Sequence, residues 1–67
     1  MKILDYMEYF ERPVRVKLSD GRIVDGVLTG IENSFETDSG KDEIELDVGA
    51  YYEGIEISDI RSIEVLN

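Results

Sequence analysis

The chain has 67 residues and a mass of 7.6 kDa, which bounds it to one small domain with a thin core. Its 42% apolar and 34% charged residues suit a globular domain rather than a disordered tail, and sixteen acids against seven bases leave a net charge of −9. The absence of Cys excludes disulfides and thiolate metal sites, and the absence of His excludes imidazole ligands and every Ser-His or Cys-His mechanism.

The first element reads as a helix over about 2–11. Ile3, Met7 and Phe10 stand at i, i+4 and i+7, with Leu4 and Tyr6 flanking that stripe and Asp5 and Glu8 on the outer side. Pro13 ends the pattern, because it pushes Arg12 out of the α region. At this length the helix is marginal alone, so Met7 and Phe10 are expected to bury against the rest of the domain.

From Val14 the period changes to two. Val14, Val16 and Leu18 alternate with Arg15, Lys17 and Ser19, predicting a strand over about 13–19 with one buried face. Asp20-Gly21 then marks a tight turn with Gly21 at positive φ. A long strand follows over about 22–32, apolar on both faces. Val24, Gly26, Leu28 and Gly30 lie on one face and Ile23, Val27 and Ile31 on the other, and its internal glycines predict a sharp bend. After a polar loop, Glu43-Ile44-Glu45-Leu46-Asp47-Val48 predicts a strand over about 42–48. Two more strands are read over about 51–57 and 60–66. The expected architecture is mainly β: an N-terminal helix followed by a five-stranded, strongly bent antiparallel SH3-like barrel, which reduces exposed edges.

Charge is segregated along this order. Residues 1–31 and 60–67 are each neutral, and residues 32–59 hold ten acids and one base, Lys41. That segment repels nucleic acid, since phosphate binding needs clustered Lys and Arg, and it reads as a solubilising face or as a docking surface for a basic partner.

The stretch Val14-Arg-Val-Lys-Leu-Ser-Asp20-Gly21-Arg22-Ile23-Val24-Asp25-Gly26-Val27-Leu28-Thr29-Gly30-Ile31-Glu32 resembles the first motif of the Sm-like (LSm) family, as a divergent bacterial-type member. The preceding helix and the closing Ile57-Ser-Asp-Ile60-Arg-Ser-Ile63 are consistent with that family's five-stranded bent barrel. The resemblance implies an RNA pocket at Glu32, Phe35, Glu36 and Glu56, but with altered chemistry. Glu32 stands for an Asp, Phe35 for the base-stacking residue, Glu36 for an Asn and Glu56 for an Arg. A carboxylate only accepts hydrogen bonds and repels phosphate, so the pocket is expected to have lost its RNA chemistry. The resemblance also implies rings of six or seven. Six copies would carry −54, which argues against a ring and for a monomer or small homo-oligomer.

Other chemistry is sparse. Glu43, Glu45 and Asp47 share a strand face, and acid–base catalysis would need a cleft that so small a chain hardly offers. Residues Glu36 to Asp42 lack the oxygen spacing of a calcium loop, with Gly40 and Lys41 at its fifth and sixth positions. No cofactor or metal is expected. Of Tyr51 and Tyr52, alternation should send one inward and one outward, and the outward one, with Phe35, is a candidate partner-binding residue. The functional expectation is a non-enzymatic protein-interaction or accessory module with an unknown, basic protein partner. The alternative is weak RNA binding through the Arg15/Lys17 strand. No apolar run of membrane-spanning length and no signal peptide are visible, so a cytoplasmic setting is expected.

Overall fold

A 3-10 helix, not an α-helix, opens the computed structural model, which describes residues 2–67. It spans Ile3–Tyr9, and its start is tied reciprocally. The Lys2 amide donates to Asp5 Oδ2 at 2.9 Å, and the Asp5 amide donates to the Lys2 carbonyl at 2.9 Å. Three residues per turn stack positions i and i+3, so Ile3, Tyr6 and Tyr9 form the inward stripe. Tyr6 is 1% exposed and its ring lies 6.5 Å from that of Tyr9 at a 51° tilt. The expectation that Met7 and Phe10 bury is therefore overturned: they are 61% and 46% exposed. The helix is capped at Phe10, and in the turn that follows Glu11 takes a positive φ of 64°. The Glu11 amide then donates to the Leu28 carbonyl at 2.7 Å, fixing the helix on the long strand.

Five strands follow: β1 Pro13–Leu18, β2 Ile23–Glu32, β3 Glu43–Asp47, β4 Tyr52–Glu56 and β5 Ile60–Val65. All pair antiparallel in one sheet of order β4-β3-β2-β1-β5. Among the described residues no ladder joins β4 to β5, so the sheet is open, with one edge at each of these strands. The expected barrel thus takes the form of a single bent sheet. The Asp20-Gly21 turn forms as the sequence predicts. Gly21 has φ 94°, Asp20 Oδ1 accepts the Arg22 amide at 2.9 Å, and the Leu18 amide reaches the Arg22 carbonyl at 2.9 Å.

The core gathers Tyr6, Val14, Val16, Leu18, Leu28, Ile44, Leu46 and Ile55. Most of it follows period-two alternation, and one irregularity departs from it. A bulge between Leu28 and Gly30 shifts the β2–β3 register, so Leu28 pairs with Leu46 and Ile31 with Ile44. Leu28 and Ile31 therefore both face the core, while Gly30 moves to the outer face with Glu45, reversing the faces expected for Gly30 and Ile31. At Gly26 the two backbones come close: a Cβ there would lie 2.6 Å from the Asp47 carbonyl oxygen. No helix among the described residues is long and apolar enough to cross a membrane.

Candidate functional site

Directly opposed residues in antiparallel strands point to the same side of a sheet. The register therefore lines up Glu32, Glu43 and Glu56 across β2, β3 and β4. Adjacent members of that row are separated by one strand spacing of about 4.8 Å. The next row is Gly30, Glu45 and Gly54, and beyond it Asp47 stands opposite Tyr52. The outer face of these three strands is an acidic plane of Glu32, Glu43, Glu45, Asp47 and Glu56, with Tyr52 at its margin.

Neighbouring groups hold these carboxylates in place. Ser39 Oγ donates to Glu43 Oε2 at 2.7 Å, and Glu43 leans over Gly54, whose added Cβ would meet Glu43 Oε1 at 3.2 Å. Thr29 Oγ1 lies 3.3 Å from the Glu45 carbonyl and 3.2 Å from Glu45 Oε1. Lys41 Nζ stands 3.7 Å from Glu56 Oε1 and is the one base of residues 32–59 set against ten acids. Among the described residues no group of three or more His, Cys, Asp or Glu is placed to hold a metal ion.

The sequence-derived pocket positions are only partly united. Glu32 and Glu56 flank Glu43 in one row, whereas Phe35 and Glu36 sit on the β2–β3 loop. Phe35 is 96% exposed at the loop tip, its amide donating to Asn33 Oδ1 at 2.9 Å in a local turn. The nearby open cleft, about 470 Å³, is lined by Ser34, Lys41, Asp42, Ile57 and Ser58, and holds none of Glu32, Phe35, Glu36 and Glu56. Asp42 organises it: its Oδ1 accepts the Ser34 amide at 2.8 Å and its carbonyl accepts the Ile57 amide at 2.9 Å. An acid in a polar loop gave no signal of that anchoring role.

The tyrosine expectation is also corrected. Tyr51 and Tyr52 are both exposed, because Tyr51 lies in the bend before β4 begins and escapes its alternation. On the other half of the sheet, Arg15 forks onto Asp25, with Nε–Oδ1 and Nη2–Oδ2 both at 2.8 Å. The Arg15 hydrogen bond and charge hold Asp25 below the usual carboxylate range, and Asp25, helped by Glu64, raises Arg15. Arg15 is thus committed within the fold, and among the described residues the basic strand retains Lys17 alone as an outward cation outside any ion pair.

No family model matches the chain, and no curated protein matches it. Its fold is similar to that of a solved structure described as YaeO bound to magnesium, from Vibrio cholerae O395. The two are 19% identical over 85% of this chain and 70% of that one, with a TM-score of 0.77. At that identity the likeness establishes the fold: a small, all-antiparallel five-stranded β domain.

Proposed function

We propose that the chain is a non-enzymatic protein-interaction module of Sm-like type that docks a basic partner on the acidic outer face of β2, β3 and β4. The observation that carries this reading is the carboxylate row Glu32–Glu43–Glu56, backed by Glu45 and Asp47, with the exposed ring of Tyr52 on the same plane. Like charges placed directly opposite destabilise a sheet by roughly 0.2–1 kcal/mol per pair, so the row works against the fold that displays it. A basic surface would relieve that repulsion, and the rings of Tyr52, Tyr51 and Phe35 supply apolar anchors of the kind enriched at interfaces. The strand order, with a helix before the first strand and a bent Gly-containing second strand, supports the Sm-like, SH3-type barrel reading.

RNA binding is the weaker alternative. Among the described residues its strand has one cation outside any ion pair, and non-specific affinity grows with the number of phosphates neutralised. The test is a titration of the isotopically labelled chain with an Arg- and Lys-rich peptide and, separately, with single-stranded poly-U. Saturable amide shifts at Glu43, Glu45 and Tyr52 with the peptide, lost in Glu43→Lys, support the proposal. RNA binding tighter than about 10⁻⁴ M at physiological salt, abolished by Phe35→Ala, overturns it.

A further inference from the structure

The β1–β5 ladder contains a second irregularity with a different consequence. Lys17 pairs with Ser62 and Leu18 with Ile60, leaving Arg61 as the unpaired residue of a bulge. A bulge re-aims a side chain. Here it brings Arg61 to the wall of an open groove of about 490 Å³ together with Lys17, Ser62, Ile23, Leu18 and Gly21. We infer that this groove binds an acidic peptide segment of a partner protein, one in which carboxylates alternate with apolar side chains.

The two cations are uncommitted. Arg15, Arg22 and Lys41 are held by Asp25, Asp20 and Glu56, whereas neither Lys17 nor Arg61 has a carboxylate within ion-pair distance among the described residues. In register, Lys17 faces Ile23 and Ser62, not an acid. Of the nearby acids, Asp20 is engaged by Arg22, and Asp59, which adjoins through its carbonyl on the Ser19 amide, does not line the groove. The Glu32–Glu43–Glu56 row lies at the far end of β2 from Ile23, whereas Asp47 stands opposite Val27, four residues along the strand, and Glu53 of β4 is turned toward Arg22 at 3.9 Å. The lining of the groove itself carries two cations and no carboxylate, on a protein of net charge −9.

Its donors choose among anions. A backbone nest for phosphate is built from free N–H groups. The amides of Leu18, Ser19, Gly21 and Arg22 are all spent on Arg22, Asp59, Leu18 and Asp20. What remains are two flexible cationic side chains, one hydroxyl, and Ile23, 59% exposed between them and the hairpin. Lys and Arg side chains take carboxylate and phosphate alike, so it is the exposed Ile23 beside them that points to a peptide with a carboxylate next to an apolar side chain. This inference concerns a different surface from the proposed acidic dock and stands or falls separately.

The test is titration of the labelled full chain with an N-acetylated, C-amidated peptide of sequence Asp-Leu-Asp-Leu-Asp, with inorganic phosphate as a parallel arm. Expected are saturable, salt-sensitive shifts at Lys17, Ile23, Arg61 and Ser62. The affinity should fall about tenfold in the Lys17→Glu/Arg61→Glu double variant and by less in Arg61→Gln, with melting temperatures unchanged. The inference is overturned by shifts confined to other amides, by equal saturable shifts with phosphate alone, or by an unchanged affinity in a folded double variant. It is equally overturned if peptide-free chain shows concentration-dependent shifts at these amides with a doubled mass by light scattering, since the occupant is then a second copy.

Discussion

Replacing Tyr6 by Ala separates the observed 3-10 packing from an α-helical arrangement of the same residues. Tyr6 is 1% exposed and joins a core of eight buried residues. A buried aromatic removes about 150–250 Å² from water, which at about 25 cal/mol/Å² is an upper limit near 4–6 kcal/mol. Mutational experience with large-to-small aromatic changes gives about 3–5 kcal/mol. A domain of 67 residues has a total stability of roughly 3–10 kcal/mol, so Tyr6→Ala should remove a large part of it. At about 4–8 °C per kcal/mol, the melting temperature should drop by at least about 12 °C. Met7→Ala and Phe10→Ala, at more exposed positions, should each cost about 1 kcal/mol or less. Urea denaturation followed by circular dichroism measures all three under one set of conditions. If Met7→Ala or Phe10→Ala proved as damaging as Tyr6→Ala, the spacing of three would be wrong and the helix would have to bury its i, i+4, i+7 stripe.

Gly26→Ala should destabilise by roughly 1–3 kcal/mol, because the new Cβ meets a backbone oxygen that no rotamer change can move, and chemical denaturation reads it. Gly21→Val should cost about 1–2 kcal/mol through its φ of 94° alone, since a Cβ there meets nothing within 4 Å; an effect within error would remove the turn argument. Glu43→Gln should stabilise by a few tenths to 1 kcal/mol, more at low salt, by relieving repulsion from Glu32 and Glu56 on either side. Asp25 has a lowered pKa in the fold, so its contribution is complete above the ordinary 3.8 and is lost as pH falls through the depressed value. Asp25→Asn should flatten that acid limb in pH-dependent melting. Tyr6 has a raised pKa, mainly from burial, so the folded state stays neutral where the unfolded chain ionises. Stability should hold below pH 10.0 and fall as pH rises toward the raised value, and Tyr6→Phe should remove Tyr6's share of that slope.

Several parts of the fold were legible in the chain itself because their causes are local. Alternation of Val14, Val16 and Leu18, and of Ile44 and Leu46, marks strands whose one face is buried, since side chains on a strand repeat every two residues. Asp20-Gly21 announces its turn through a positive φ that glycine adopts without strain. The segregation of charge into residues 32–59 is likewise a property of the sequence alone. Tertiary structure decided what depends on register and on competing partners. Ile3, Tyr6 and Tyr9 suit a turn of three as well as Met7 and Phe10 suit one of 3.6, and the anchoring of Glu11 on Leu28 accompanies the tighter winding. One extra residue near Thr29 turned Ile31 inward and Gly30 outward, and one at Arg61 left that side chain beside Lys17. Glu32, Glu43 and Glu56 are scattered over 25 positions of sequence and become a single row only when three strands pair. Arg15 reads as a free cation until Asp25 is set opposite it. In each case the deciding interaction joins residues far apart in the chain, and a one-residue slip of register changes which face carries the charge.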